Sequence, residues 1–361
     1  MLLSAPAGGY ELTIGGFAQP EVSAGNGSAN VMLQHARPYL IGEQRFGDLR
    51  VFLRLEPDLT PQVSLFEGYV GLEQQFENGG SWDLLLGQTR VPFGRQSMVW
   101  EAESQLIDKA WLTSLEPSPR VGLVATIHAP SLQMTAGAFS GAVGSAQDVT
   151  SDGLVVGRFA VRPYGWDEPI TESALEGQTQ LSFGVNGLEH WLNGSNYSSS
   201  STTLLGVDVY AAFHGASLYA EYLFGETSTS SGFFSRNANF HSHGIDLQVG
   251  WALPPLGSPS RRFEIVGRYE ETLANDTAPL AMPGDANQDQ QRYTFGLNYF
   301  HYGQRLKAQI ALTHIRWVPD VARNTSGIHG DTLYFMLTFR SEVTIQQLAP
   351  SGPARVPIFE D

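Results

Sequence analysis

The chain of 361 residues has no cysteine and very little lysine, and both absences restrict what it can be. Without thiols, a disulfide-stapled scaffold and a cysteine metal site are excluded. Only 2 of the 21 basic residues are lysines, so arginine carries almost all of the positive charge. Arginine stays ionised and can hold anions bidentately, which indicates selective placement. Genomic codon bias is an equally good explanation of the imbalance.

Long apolar runs and an excess of positive charge are missing as well. No stretch approaches the ~18 consecutive apolar residues that a membrane-spanning helix requires. The net charge of −15 argues against nucleic acid as a partner, because such binding needs a basic surface. No linker-like change in composition divides the sequence, so we expect a single domain.

Alternation is the strongest pattern that is present. From about Tyr10 to Arg340, apolar residues alternate with polar residues or glycine in segments of roughly ten residues. In 244–253 one face is apolar from Ile245 to Leu253, and the other face consists of Asp246, Gln248, Gly250 and Ala252. Only a period of two separates the faces so cleanly. The sequence therefore predicts an all-β fold, a transmembrane antiparallel β-barrel with lipid outside and water inside.

The alternation predicts about sixteen strands, an even number that lets both ends of a closed barrel lie on one side of the membrane. Closure also leaves no unpaired edge in the hydrocarbon. Connections after even-numbered strands are mostly short and those after odd-numbered strands mostly long, although 163–178 is a long connection on the short side. The predicted spans are 10–23, 31–42, 48–56, 62–73, 82–92, 120–129, 132–140, 153–162, 179–191, 203–213, 217–225, 242–253, 261–272, 292–301, 305–317 and 332–341.

Three regions follow from this reading. Residues 1–9 are expected to be the remnant of an export leader, 10–341 the transmembrane barrel and 342–361 a C-terminal periplasmic tail. The small residues Ala5-Pro6-Ala7 fit a signal cleavage site, with an expression start as the alternative. In the tail, three prolines make a further strand unfavourable, at Pro350, Pro353 and Pro357.

Two motifs are more specific than the alternation. Gly87-Gln88-Thr89-Arg90-Val91-Pro92-Phe93-Gly94-Arg95 ends the fifth predicted strand, and Pro117-Ser118-Pro119-Arg120-Val121-Gly122 leads into the sixth. Together they resemble the phosphate-selective porin O and P family, in which a Gly-Gln-x-x-x-Pro-Phe strand end and a Pro-Ser-x-Arg-x-Gly strand start flank a long constriction loop. The similarity covers most of the barrel and is strongest over residues 35–125.

The resemblance implies a channel of the bacterial outer membrane, in contact with outer-membrane lipid and lipopolysaccharide and assembled as a homotrimer. Strands one to four and sixteen are expected to form the trimer contact, and the segment from Phe93 to Pro119 to fold into the barrel. Phosphate-selective members carry lysines along the pore, whereas this chain has only Lys109 and Lys307. The resemblance therefore supports the channel architecture more strongly than it supports phosphate specificity.

The strand pleat predicts which charges face the pore. In the third strand Leu49, Val51 and Leu53 face lipid, which turns the arginines between them inward. An arginine facing the middle of the bilayer would cost ~2 to 4 kcal/mol, so the inward orientation is favoured. The predicted pore-lining and anion-attracting residues are Arg37, Arg50, Arg54, Arg90, Arg120, Arg158, Arg162, Arg268 and Arg292.

Carboxylates are predicted opposite these arginines. Opposed rows of charge across a narrow opening order water and dipolar solutes and penalise apolar ones. The alternative is that the charges are simply solvated, because a barrel needs a polar interior in any case. The predicted acidic wall is Asp208, Glu221, Asp246, Glu264 and Glu270, and the predicted loop acids are Glu101, Glu103, Asp108 and Glu116.

These patterns predict a passive diffusion porin for small hydrophilic solutes, with a weak anion preference and no tight phosphate site. The alternative is a structural or adhesive outer-membrane barrel that binds a partner through its loops or its tail. No Gly-x-Ser-x-Gly nucleophile turn is present, so no enzyme is expected. The pair His241 and His243 lacks a third ligand, so we expect no metal site, and no cofactor is expected.

Overall fold

The computed structural model describes residues 9–25, 27–77, 79–110, 119–140, 153–164, 172–175, 179–193, 198–231, 238–258, 260–274, 290–317 and 329–347. Across these residues, no helix is long and apolar enough to cross a membrane. The strands are β1 (Tyr10–Gly25), β2 (Ser28–Phe46), β3 (Leu49–Asp58), β4 (Ser64–Gln75), β5 (Ser81–Thr89), β6 (Arg120–Ala129), β7 (Leu132–Ser140), β8 (Gly153–Val161), β9 (Gln180–Asn193), β10 (Ser198–Phe213), β11 (Ala216–Ser231), β12 (Ala238–Ala252), β13 (Arg262–Ala274), β14 (Gln290–Phe300), β15 (Leu306–Trp317) and β16 (His329–Gln347).

The described strands form one closed antiparallel barrel of sixteen strands, as predicted. Each strand pairs with its neighbours in sequence, and β1 closes the barrel by pairing with β16. The last strand is longer than predicted: it passes 341 and reaches Gln347, which lies opposite Tyr10. The sequence 341–347 continues the alternation, and β1 offers it a partner over its whole length. The first six residues of the predicted tail, 342–347, therefore belong to β16. Residues 1–8 of the predicted leader and 348–361 of the predicted tail lie outside the described residues.

Two prolines interrupt strands without breaking the sheet. The register shifts between Gln19 and Pro20 in β1, and between Glu56 and Pro57 in β3. Proline has no N–H to donate to the ladder, so strands tolerate it at bulges of this kind. Gly87 in β5 has a φ of 140°, which favours glycine, and a Cβ there would collide with the backbone of β4. The Gly-Gln motif thus marks a backbone distortion just before the chain leaves the barrel wall.

The two faces of the wall differ as the alternation predicts. On β14 the outward Phe295 is 67% exposed, whereas the inward Asn298 is 1% exposed. On β12 the outward Leu247, Val249 and Trp251 are exposed, and the inward Asp246 is fully buried. Because an apolar exterior on a closed sheet is stable only against lipid, the outer surface is suited to a membrane.

One part of the inward face is apolar. Val124 and Phe139 of β6 and β7 join inward leucines and valines of β8 to β11 in a buried cluster. Phe93, the last residue of the Pro-Phe motif, is fully buried in this cluster together with Val91 and Ala110. The connection from β5 to β6 therefore begins by packing onto the inside of the wall.

Candidate functional site

The site is the barrel interior, where the β5–β6 connection runs along the inner wall. It is described as far as Ala110; residues 111–118, which include Glu116 and Trp111, lie outside the described residues. We call residues 90–110 the inner loop. It contains two short 3₁₀ turns, Gln96–Met98 and Glu101–Glu103, and is otherwise extended or irregular. Because it has little regular structure of its own, contacts with the wall must hold it.

Trp100 fixes the inner loop against β1 and β2. Its ring meets Phe17 edge-on at 5.2 Å between centroids and packs against Tyr39 at 5.4 Å. The indole Nε1–H donates to Glu56 Oε1 at 3.2 Å. The Arg340 guanidinium lies 4.5 Å from the Trp100 ring centre, in cation–π contact. A large aromatic with a polar handle anchors a chain segment well, since its burial also satisfies its N–H.

Lys307 of β15 holds the next part of the inner loop. Its Nζ donates to the carbonyl oxygens of Ala102 at 3.0 Å and Ser104 at 2.7 Å, and the residue is 1% exposed. Arg340 adds an ion pair to Glu103 at 2.8 Å. One of the two lysines of the chain is therefore occupied by backbone carbonyls of the inner loop.

Gln105 connects the inner loop to strands on the far side of the barrel. Its Nε2 donates to Ser217 Oγ at 2.8 Å and to Glu264 Oε1 at 2.7 Å. Its carbonyl oxygen accepts from Asn298 Nδ2 at 2.7 Å and from Gln309 Nε2 at 3.0 Å. These partners belong to β11, β13, β14 and β15. The inner loop therefore crosses the lumen from β5 to the opposite wall.

Glycines on the wall make room for this crossing. A Cβ at Gly296 of β14 would lie 2.7 Å from Leu106 Cδ2, and a Cβ at Gly250 of β12 would collide with the Gln105 side-chain amide. Real side chains do not tolerate such approaches without moving a neighbour. Farther along, Arg268 donates to the carbonyl oxygen of Asp108 at 2.9 Å. The wall is thus shaped to fit the inner loop closely.

A network of arginines and carboxylates lies where the inner loop faces β2 to β5. Glu101 is ion-paired with Arg37 at 2.9 Å, Arg90 at 3.2 Å and Lys109 at 3.2 Å. Burial by itself raises the pKa of the Glu101 carboxyl, but Arg90, Lys109 and Arg37 together hold that pKa well below its usual range. Glu101 is therefore charged, and it neutralises much of the positive charge of its neighbours.

Arg50 and Arg54 lie on the inward face of β3 and remain partly exposed. Arg50 pairs with Glu43 at 2.5 Å and Glu73 at 2.7 Å, and Arg54 pairs with Glu67 at 3.0 Å. Both arginines line a cavity of about 740 Å³ that also exposes Glu73, Asp83, Phe52, Tyr69 and His128. Its rim includes residues of the β4–β5 and β6–β7 turns, which places it at the short-turn end of the barrel.

The remaining predicted arginines are buried or bonded within the wall. Arg158 forms a bidentate pair with Asp208, at 2.5 Å and 2.9 Å. Arg268 pairs with Glu270 at 3.0 Å, and Arg292 Nε donates to Gln290 Oε1 at 3.4 Å. Two further inward arginines are also buried, Arg120 and Arg162.

Four of the five carboxylates of the predicted acidic wall form a continuous row. Asp208, Glu221, Asp246 and Glu270 are direct cross-strand neighbours on β10, β11, β12 and β13. Arg158 and Arg268 lie at the two ends of this row through their pairs with Asp208 and Glu270. Glu264 lies apart from the row, opposite Ala252 and Asn298, and its carboxylate accepts hydrogen bonds from Gln105 and Asn298.

The wall residues that hold the inner loop were not predicted from the sequence. Lys307, Gln309 and Asn298 are ordinary inward polar residues in the alternation, and each lies at least 193 positions from its partner in the inner loop, as for Asn298 and Gln105. One signal was available: strands six to eleven carry apolar residues on both faces, as in Leu154-Val155-Val156. Inward apolar residues must be shielded from water, and Phe93 packs against them.

Comparison with solved structures finds outer-membrane barrels. OmpT of Vibrio cholerae, an outer-membrane protein in its trimer form, matches with a TM-score of 0.64 and 11% identity over 91% of this chain and 99% of that one. The outer-membrane channel DcaP of Acinetobacter baumannii matches at 0.59 and 11%, covering 92% and 98%. The anion-selective porin from Comamonas acidovorans matches at 0.59 and 12%, covering 92% and 100%.

Identities this low establish the fold alone: the chain has the sixteen-stranded barrel fold of outer-membrane porins. No protein-family model matches the sequence, and no curated protein is similar enough in sequence to count as a relative. The resemblance to phosphate-selective porins rests on the two motifs and stays a prediction.

Proposed function

We propose that the protein is a passive diffusion porin of the bacterial outer membrane that admits small hydrophilic solutes. The observation that carries this proposal is a closed barrel with an apolar exterior and a charged interior, in which the inner loop is bonded to the wall. A closed barrel is one of the two structures that satisfy every backbone group within a bilayer. An interior of ion pairs suits polar solutes and excludes apolar ones.

We propose a weak anion preference, set by Arg50 and Arg54. These two border the 740 Å³ cavity and are partly exposed, whereas Arg120, Arg158 and Arg162 are buried. The preference is weak because Glu73 and Asp83 line the same cavity and offset much of the positive charge. Charges more than ~8 Å away contribute little at physiological salt.

We propose that the channel has no tight phosphate site. The lysines that phosphate-selective relatives are expected to use number only two here, and both are occupied. Lys307 Nζ donates to Ala102 and Ser104 carbonyls, and Lys109 Nζ pairs with Glu101 at 3.2 Å. The motif at Gly87–Arg95 thus resembles phosphate-selective porins, while the ion selectivity of this channel is set by its own pore-lining charges.

We also propose a homotrimer that contacts through β1, β2 and β16, surrounded elsewhere by outer-membrane lipid and lipopolysaccharide. The small residues Gly16, Ala18 and Ala36 border an apolar depression of about 800 Å³ together with Phe339. Small residues allow a second subunit to approach closely, and closed cyclic symmetry is the usual form of such assemblies. OmpT of Vibrio cholerae, which shares the fold, is described in a trimer form.

Single-channel recording in planar bilayers tests the channel function. The purified, folded protein should insert in discrete steps of persistent conductance. The contacts that fill the side of the lumen near β11 to β15 favour the alternative of a blocked, partner-binding barrel. Complete silence from correctly folded and inserted protein would support that alternative and reject the porin.

A further inference from the structure

A second segment enters the barrel from the end opposite to the inner loop. Connections after odd- and even-numbered strands lie at opposite ends of an up-and-down antiparallel barrel. The inner loop follows β5, whereas the long connection 162–179 follows β8. Within that connection, residues 172–175 are described, and we call them the 172–175 segment. Their contacts place them inside the lumen.

Glu172 is the centre of these contacts. Its Oε2 accepts from the Gln105 backbone N–H at 2.7 Å and from Gln248 Nε2 at 3.2 Å. Its Oε1 accepts from Gln96 Nε2 at 3.0 Å. Glu172 is 4% exposed. Gln248 Nε2 also donates to Gln105 Oε1 at 2.8 Å. One buried carboxylate therefore joins two points of the inner loop to the β12 wall.

The rest of the 172–175 segment is bonded to the wall. Ser173 Oγ donates to Glu264 Oε2 at 3.0 Å, and the Glu264 carboxylate also receives Gln105. The Tyr210 hydroxyl donates to the Glu172 carbonyl oxygen at 3.3 Å. Ala174 packs in a small buried cluster with Tyr210, Ala212 and Tyr219, and Arg262 donates to the Leu175 carbonyl oxygen.

We propose that the 172–175 segment is a second pore-narrowing element, and that Glu172 is the positioning residue that sets where Gln96 and Gln105 of the inner loop lie. This inference rests on the proposed channel function. A buried carboxylate is stable only with enough donors, and the donors around Glu172 come from the inner loop and from the wall. Removing the carboxylate leaves the Gln105 N–H and the Gln96 side-chain amide without this acceptor and takes one of two acceptors from Gln248 Nε2, so both segments lose the contact that they share.

Substitution of Glu172 tests the positioning role by conductance. Glu172→Ala should raise single-channel conductance by roughly a factor of two and broaden its distribution, because conductance grows with open cross-section. Glu172→Gln keeps the size and one acceptor oxygen, so its conductance should lie between the wild type and Glu172→Ala. The control is Glu77→Ala, which removes an exposed carboxylate from a turn at the same end of the barrel and should leave conductance unchanged.

A thiol-labelling experiment tests the placement of the segment independently of any loss of contacts. The chain has no cysteine, so Leu175→Cys introduces a single thiol. A charged methanethiosulfonate reagent added from the short-turn side should react with it and reduce conductance, while leaving the cysteine-free wild type unaffected. Labelling is confirmed by mass spectrometry.

The outcomes separate this inference from the proposed function. A silent wild type rejects the porin itself. A conducting wild type whose conductance matches that of Glu172→Ala shows that Glu172 does not position the inner loop. A Leu175→Cys thiol that fails to react, or reacts without changing conductance, shows that the 172–175 segment does not border the solute path.

Discussion

Lys307 is a buried cation that binds the backbone of the inner loop rather than a solute. Its ammonium group donates to two carbonyl oxygens of the inner loop and is almost completely buried. A buried ammonium is expensive to desolvate, and it is retained only where its hydrogen bonds are satisfied. At this residue, position in the pleat was predictable from the sequence, but its partner was not.

Replacing Lys307 with methionine tests this role. Lys307→Met keeps the length of the side chain but leaves the Ala102 and Ser104 carbonyls without donors, a cost of ~1 kcal/mol for each lost hydrogen bond. We expect a folded barrel with larger and noisier conductance steps in planar bilayers. Arg261→Met, which removes an exposed cation from the β12–β13 turn, is the matched control and should behave as wild type. Identical recordings from both variants would mean that Lys307 does not hold the inner loop.

Arg50 and Arg54 carry the proposed selectivity. Changing both to glutamine removes two positive charges from the 740 Å³ cavity and leaves Glu73 and Asp83 in place. Reversal potentials in a KCl gradient should therefore shift from a weak anion preference to an anion-to-cation permeability ratio below ~1. Arg158→Gln is the comparison, because Arg158 is buried against Asp208 and its loss should shift the ratio less. Cation preference in the unmodified channel would instead show that the carboxylate wall governs selectivity.

The strands were predictable because alternation is a local property of the sequence. Each predicted span overlaps one observed strand, and Gly244 to Leu253 shows the predicted division of faces. The ends were less predictable: β11 reaches Ser231 rather than 225, through a stretch of serine and threonine that lacks apolar alternation. There the backbone pairing with β10 continues as far as Ser231, which lies opposite Ser198.

The inner loop was only partly predictable. Its apolar residues and its position after β5 predict that it packs inside the barrel, and the described residues up to Ala110 do so. Its route across to β11, β13, β14 and β15 depends on contacts between residues that are far apart in sequence, and no local pattern encodes those. The 172–175 segment was not predicted for the same reason, although 163–178 was noted as a long connection at the end of the barrel where connections are short.

Removing the inner loop tests its effect on the pore. Replacing residues 93–119, which include most of the inner loop and the rest of the connection to β6, with a short glycine-serine turn should raise conductance by about twofold or more, since the inner loop crosses the lumen. Heat-modifiable mobility on gels establishes that the variant barrel is folded. An unchanged conductance in a folded variant would place the narrowest point elsewhere.

For the whole molecule, the proposed trimer places β1, β2 and β16 at the subunit contact. Adding bulk to the outward depression should weaken assembly, so Ala18→Trp combined with Ala36→Trp should shift native mass spectra in mild detergent from trimers to monomers. The same pair of tryptophans on the outward face of β12, at Leu247 and Val249, is the control and should leave trimers intact. If the wild type gives only monomers, the proposed trimer is wrong.

Passive diffusion of small hydrophilic solutes through the barrel can be measured by the swelling of proteoliposomes. Liposomes that contain the folded protein are diluted into isosmotic solutions of uncharged sugars of increasing size, and light scattering follows the entry of solute and water. We predict rapid swelling with monosaccharides, with no energy source, and rates that fall steeply as the sugar grows. If liposomes that hold inserted, folded protein swell no faster than empty ones, the protein is not a passive diffusion porin.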